Sequence, residues 1–239
     1  MSSSSIHVNA HNATINIQGN VKSIHSSDKN QSSLQRVEFI KQHDDYILNV
    51  DLDQCGFKYA DGIKKVIMDD NNDLTEDDFP ELIDYSFVES KWPTLRTLED
   101  YTKVHVKGVE RGFFATLEQY DGFADTLNML RDNGVVVRIV TNRLFTGANY
   151  AKSVADTMYA LENIGATYDE ICFVKRKSDI HGDALVDDSP TNIVEWANAQ
   201  HSKIFIFDHP YNRDLDGDRV YNWKEIGEKV LAHKKSIGK

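Results

Sequence analysis

Four short stretches of the chain carry residues able to do chemistry. Asp51 and Asp53 flank one leucine after the apolar run YILNV; Thr141 and Asn142 close VVVRIV; Lys175 and Lys177 follow EICFV; Asp187 and Asp188 close ALV. Carboxylates at the end of a buried run cannot stay ionised unless something positive meets them. If the four runs are parallel strands of one sheet, their carboxyl ends share an edge. Acids, a hydroxyl and an ammonium then converge, and a divalent cation with a lysine lets the aspartates keep their charge. The chemistry that suits this set is phosphoryl transfer. Mg²⁺ prefers carboxylate and water oxygens and needs few protein ligands when a substrate phosphate supplies another. A carboxylate can attack phosphorus to give an aspartyl-phosphate. The threonine and the lysine can hold non-bridging oxygens and offset developing charge. A second carboxylate two residues on can protonate the leaving alkoxide and later activate water.

Singly, each stretch has a plainer reading. Asp is common in turns, Thr141 could be an ordinary N-cap, and Lys175, Arg176 and Lys177 could form a solvated basic patch. Asp51 and Asp53 joined to Asp187 and Asp188 outweigh these. Asp183 begins its apolar run, which puts it at the opposite end of the sheet and sets it aside as a metal ligand. Asp214, Asp216 and Asp218 resemble part of a calcium loop but lack the later Glu, so DLDGD reads as a solvated turn. His181 and His209 read as structural or exposed.

The elements that must position these residues follow from periodicity. YILNVD, VVVRIVTN, EICFVK, DALVDD and KIFIFD are apolar runs of strand length. DGFADTLNMLRDNG is amphipathic, with Phe123, Leu127 and Leu130 on one face and Gly134 at its C-cap; NYAKSVADTMYALENIG is closed by Gly165. Pro190 sits in the first turn of a helix reaching Trp196, with Ser189 a candidate N-cap, and NWKEIGEKVLAHKK is a last helix. Strands alternating with helices predict an α/β fold, a Rossmann-like parallel sheet with helices on both faces. Residues 60–118 break the alternation, acidic first and aromatic later, and read as a small helical cap inserted after the first strand. It overhangs the strand ends where open α/β sheets bind ligands. The expected division is a polar tail over 1–43, a core over 44–59 and 119–239, and a cap over 60–118. Within the tail, ATINIQGNVKSI gives a weak hairpin signal around Gly19-Asn20. A mobile tail is the favoured reading; a hairpin used for self-association, making a homo-oligomer, is the sharper one.

Composition narrows the function classes. The chain has 239 residues, 40% hydrophobic and 27% charged, with a net charge of −11. Such acidity argues against a nucleic-acid polymer as partner. No run approaches the roughly 18 apolar residues of a membrane span, and MSSSSIHVNAHN has neither the basic nor the apolar region of a secretory signal. Two cysteines, Cys55 and Cys172, make no metal-type spacing and suit a reducing, cytoplasmic setting.

DLDQCGF, IVTN, a lysine after the third strand and ALVDD, in that order, resemble the four motifs of haloacid dehalogenase-like phosphatases. RGFFATLEQYDGFADTLNMLRDNG, KSDIHGDALVDDSP and FDHPYNRDLDGDRVYNWKEI, with Asn212-Arg213 and Asn222-Trp223, resemble the 5′(3′)-deoxyribonucleotidase group of that superfamily. The resemblance runs from about Tyr46 to the C-terminus. It implies a Mg²⁺-dependent phosphomonoesterase acting on a nucleoside monophosphate, with Asp51 as nucleophile and Asp53 as general acid/base whose backbone carbonyl meets Mg²⁺. It implies Thr141 on the phosphate, Lys177 rather than Lys175 as the charge-stabilising lysine, and Asp187 as the Mg²⁺ ligand with Asp188 as neighbour or alternate. Two departures bear on substrate choice. Gln54, Cys55 and Gly56 stand where Gly-Val-Leu is usual, and Asn142-Arg143 replaces a smaller polar residue and proline. Arg143 could add a phosphate contact or be solvated, Asn142 joins it as a substrate-binding candidate, and Phe57, nearest the nucleophile, is the aromatic best placed to stack a base. Trp92, Phe113 and Phe114 are weaker candidates. The rival functions are a phosphatase of the same chemistry on another small phosphoester, and a non-catalytic binding or assembly protein of the same fold.

Overall fold

The computed structural model describes residues 45–144, 147–199 and 203–239. Among them, six parallel strands form one sheet in the order β3-β2-β1-β4-β5-β6. The strands are β1 Tyr46–Val50, β2 Val135–Thr141, β3 Glu170–Phe173, β4 Ala184–Asp187, β5 Lys203–Phe207 and β6 Asp218–Val220. The helices are α1 Tyr59–Asp70, α2 Leu98–Arg111, α3 Phe123–Asp132, α4 Tyr150–Asn163, α5 Pro190–Asn198 and α6 Trp223–Ser236. β1 and β4 are the central neighbours, and sequence order runs outward from them in both directions. The strand order therefore reverses between β1 and β4, and a crevice opens above their carboxyl ends. The expected Rossmann-like α/β core is present, and the expected hairpin around Gly19-Asn20 lies outside the described residues.

The apolar runs become strands because both faces of a parallel sheet are covered. Leu48, Val50, Val137, Ile139, Ala184 and Val186 are fully buried. β6 has no apolar run to announce it. Its Asp218 instead pairs with Lys203 of β5 at 2.7 Å and Lys229 of α6 at 2.7 Å, so the expected solvated turn is in part an edge strand held by charge. Asp183 lies at the opposite end from the crevice, where it accepts from the Ile47 amide at 2.8 Å and pairs with Lys239.

Two crossings link the sheet to residues 59–118. Phe57 bridges Gln119, the Lys58 amide donates to the Glu118 carbonyl at 2.8 Å, and the Tyr120 amide donates to the Gly56 carbonyl at 2.9 Å. Beyond them α1 packs on α2, with Tyr59, Phe87, Trp92, Tyr101, Phe113 and Phe114 in edge and stacked contacts. Trp92, Phe113 and Phe114 are buried in this aromatic core.

Candidate active site

Asp51 follows β1 directly, and its amide donates to the Val186 carbonyl of β4 at 3.0 Å. The next residues fold back on themselves. The Gly56 and Phe57 amides both donate to the Leu52 carbonyl, at 2.8 and 2.7 Å, and Gln54 takes a positive φ of 59°. This tight turn is pinned from three sides. His209 Nε2 meets the Gln54 carbonyl at 2.7 Å, Trp223 Nε1 donates to the Cys55 carbonyl at 2.8 Å, and Gln54 Oε1 accepts from the Ala60 amide at 2.9 Å. The turn that departs from the familiar pattern is thus rigid, and both of its aspartates inherit that rigidity.

Asp51 is 5% exposed, and Lys177, from a 3-10 turn after β3, places its ammonium 2.5 Å from the Asp51 carboxylate and 2.7 Å from Asp187. One ammonium therefore joins the ends of β1, β3 and β4, the convergence that parallel strands require. Burial raises the Asp51 carboxyl well above the usual range; Lys177 opposes that rise, and Asp187, Asp188 and Asp53 add to it. Burial alone would depress Lys177, but Asp187 and Asp51 hold its ammonium well above the ordinary lysine range.

The two aspartates after β4 face different partners. Asp187 is fully buried and accepts from Lys177, from the Ser189 amide at 2.9 Å and from Asn192 Nδ2 at 3.1 Å. Asp188 accepts from the Cys55 thiol at 3.5 Å and the Tyr211 hydroxyl at 2.5 Å, and its carbonyl accepts from Asn212 Nδ2 at 2.9 Å. Ligating atoms of Asp51, Cys55 and Asp188 lie within 4.8 Å of one another. Asp187, expected as the Mg²⁺ ligand, and Asp188, expected as its neighbour or alternate, thus keep different company. Asp187 is committed to Lys177 and the start of α5, while Asp188 stands with Asp51. Two adjacent residues at one strand end point to opposite sides, and sequence alone does not say which of them faces Asp51.

Other candidates are also redistributed. Thr141 ends β2 fully buried, and its hydroxyl has no hydrogen-bond partner among the described residues. Asn142 lines the cavity above the site. Phe57 does not. It is fully buried against Phe123, with ring centroids 5.6 Å apart, so the base-stacking expectation for it is corrected. Arg143 is neither solvated nor on the cavity wall. It is fully buried and its Nη2 donates to Asp53 Oδ1 at 2.7 Å. Lys175 lines the rim rather than the charged centre, and His209 stacks on Tyr211 with centroids 5.1 Å apart.

The cavity has a volume of about 600 Å³. Asp51, Asp53 and Asp188 line it together with Tyr59 and with Phe87, Tyr101 and His105 of the inserted segment. Its size suits a small organic ligand. Residues missed in the sequence are Cys55, Tyr211 and Asn192. Cys55 and Tyr211 meet Asp188 across long separations and left no local signal. Asn192 did leave one: it lies five residues after Asp187, in the first turn of α5, where a side chain can reach back to the strand end.

A family described as "5' nucleotidase, deoxy (Pyrimidine), cytosolic type C protein" matches residues 45–236. The chain belongs to this family. A curated protein from Chlorobaculum tepidum, named "Putative 5'(3')-deoxyribonucleotidase", is 28% identical over 188 residues, covering 78% of this chain and 90% of its own. A solved "predicted phosphatase from Clostridium acetobutylicum" superposes with a TM-score of 0.54 at 16% identity, over 79% of this chain and 99% of that one. A haloacid dehalogenase-superfamily hydrolase from Geobacter sulfurreducens gives 0.51 at 15% identity, over 78% and 97%. These two structures share the fold. Family membership makes the chain a phosphoric monoester hydrolase of the 5′-nucleotidase type, and the convergence of Asp51, Lys177 and Asp188 lies inside the matched span. Among the described residues no helix is long and apolar enough to cross a membrane, and both cysteines are free thiols.

The donor set fits a divalent cation. Asp51 and Asp188 bring carboxylate oxygens together with the Cys55 sulfur in a buried site, and the Lys177 ammonium is shared between Asp51 and Asp187. Asp53 is paired separately with Arg143. Oxygen donors dominate the cluster, as a hard cation requires.

Proposed function

We propose that the protein is a Mg²⁺-dependent 5′-nucleotidase that hydrolyses deoxynucleoside monophosphates through an aspartyl-phosphate on Asp51, with residues 60–118 as a cap. The observation that carries this reading is the single ammonium of Lys177 shared by Asp51 and Asp187 beside Asp188, at the strand-order reversal. Asp51 and Asp188, with the Asp53 carbonyl, would hold Mg²⁺, which supplies electrostatic stabilisation of the phosphoryl oxygens and keeps Asp51 ionised. Lys177 neutralises charge on those oxygens, and the Thr141 hydroxyl donates to one of them. The Asp51 oxygen bonds to phosphorus as the bond to the leaving oxygen breaks, and Asp53 gives that oxygen its proton. Water then attacks phosphorus, returns a proton to Asp53, and releases inorganic phosphate and the Asp51 carboxylate. The aromatic wall of the cavity supports a nucleoside as leaving group, because ring faces stack on a base. A cytoplasmic setting accords with the free thiols.

Asp51→Asn is expected to abolish Mg²⁺-dependent phosphate release while retaining the native unfolding temperature. Release that persists at the native rate sinks the nucleophile assignment. A panel of deoxynucleotides, ribonucleotides and sugar phosphates tests the substrate class, with the highest kcat/KM expected among the deoxynucleotides.

A further inference from the structure

Arg143 lies two residues beyond Thr141 and is completely withdrawn from solvent. Its Nη2 and Nε donate to Asp53 Oδ1 at 2.7 and 3.1 Å, whereas Oδ2 receives only the longer 3.3 Å contact from Nε. Nη1 donates to Thr157 Oγ1 at 3.0 Å, and that hydroxyl donates to the Ser153 carbonyl of α4 at 2.7 Å. The Phe114 and Phe57 rings lie 4.3 and 5.3 Å from Cζ. The guanidinium is thus fixed by the nucleophile turn, by the inserted segment and by α4 together. Burying a guanidinium is costly, and a planar fork held by two rings and a hydroxyl has little freedom to move. The side chain it immobilises is Asp53, which is partly exposed and lines the cavity.

We infer that Arg143 is the positioning residue of the proton-transfer step. It anchors Asp53 through Oδ1 and leaves Oδ2 as the oxygen that exchanges the proton. This rests on the roles of Asp51 and Asp53 proposed above. In the first step the Asp51–phosphorus bond forms, the bond to the leaving oxygen breaks, and the Oδ2 proton moves to that oxygen. In the second, water attacks phosphorus, its proton goes to Oδ2, and the Asp51–phosphorus bond breaks. A leaving group that is stable as an anion needs no proton in the first step, so it separates positioning from folding.

The test is rapid-mixing, first-turnover kinetics with Mg²⁺ on thymidine 5′-monophosphate and p-nitrophenyl phosphate, for Arg143→Lys, Asp53→Asn and Asp51→Asn. Arg143→Lys keeps the charge but loses the fork. It is expected to slow nucleoside release about 100-fold, in the range of a lost general acid, while the p-nitrophenol burst slows less than about threefold. Asp53→Asn is expected to show the same selectivity. Equal losses on the two substrates, or unchanged nucleoside release, overturn the assignment. Should Arg143→Lys fail to fold, Thr157→Val carries the test: of the Arg143 contacts it removes only the one at Nη1, along with the hydroxyl's bond to the Ser153 carbonyl, and is expected to slow nucleoside release about fivefold with the burst preserved, and a loss shared by both substrates again overturns the assignment. A burst that survives in Asp51→Asn overturns the underlying phosphatase mechanism instead, so the two failures are distinct.

Discussion

In the proposed mechanism Asp51 and Asp188 act only because other side chains hold them. The Tyr211 hydroxyl donates to one Asp188 oxygen at 2.5 Å and the Cys55 thiol approaches the other at 3.5 Å. Burial raises the Cys55 thiol well above its usual range, and Asp188 and Asp51 raise it further, so it stays a neutral donor. The Tyr211 phenol is raised too, first by burial and then by Asp188, and it also remains a donor. Groups that orient a ligand commonly change metal affinity about 10- to 100-fold when removed. Tyr211→Phe is therefore expected to raise the Mg²⁺ concentration for half-maximal activity about tenfold, with little change in kcat at saturating Mg²⁺. A Mg²⁺ titration of steady-state phosphate release checks this. Unchanged half-saturation would mean that Asp188 does not meet the cation.

The element that decides site geometry is the Asp51–Phe57 turn. Gly56 sits so close to Phe123 that an added Cβ would lie 2.6 Å from the ring. Phe123 is fully buried at the start of α3 and packs on Trp223, whose indole holds the Cys55 carbonyl, so the ring cannot retreat. Gly56→Ala is expected to cost about 1–3 kcal/mol in urea unfolding, with a loss of kcat larger than any change in KM, because the turn moves Asp51 and Asp53 together. A stable variant with native kcat contradicts the rigid-turn account. The strands and the helices outside residues 60–118 were legible because each carries its own periodicity, as VVVRIV and NYAKSVADTMYALEN do. The strand-end convergence was legible because parallel topology forces it. β6 was not, since charge pairs of Asp218 rather than apolar residues hold it. Neither was the division of labour between Asp187 and Asp188, nor the burial of Arg143. Those depend on Asn192, Tyr211 and Phe114, partners whose approach only the folded chain defines.

At the scale of the whole molecule, residues 59–118 and the sheet share one aromatic and titratable seam, and its response to pH follows from His105. This imidazole is buried in the inserted segment, and the Tyr59 hydroxyl meets its Nδ1 at 2.7 Å. Burial depresses it from 6.5 to about 4, Asp53 opposes that fall, and Arg143 assists it. In the unfolded chain the same histidine titrates near 6.5, so between pH 6.5 and about 4 the unfolded state binds the extra proton. Stability is therefore full above the unfolded value and declines as pH falls through this window, by about 2 kcal/mol between pH 7.5 and 5. The raised carboxyl of Asp51 acts with the opposite sign, since the folded state takes its proton first. His233, also depressed chiefly by burial, adds in the same direction but is more exposed to solvent screening. His105→Asn keeps a polar atom near the Nδ1 position and removes the titration. Urea unfolding with Mg²⁺ at pH 7.5 and 5 is expected to show the variant losing clearly less stability than the parent over that interval. Parallel losses in the two proteins would show that His105 becomes charged inside the fold without penalty, and that the seam around it is wetter than its packing implies.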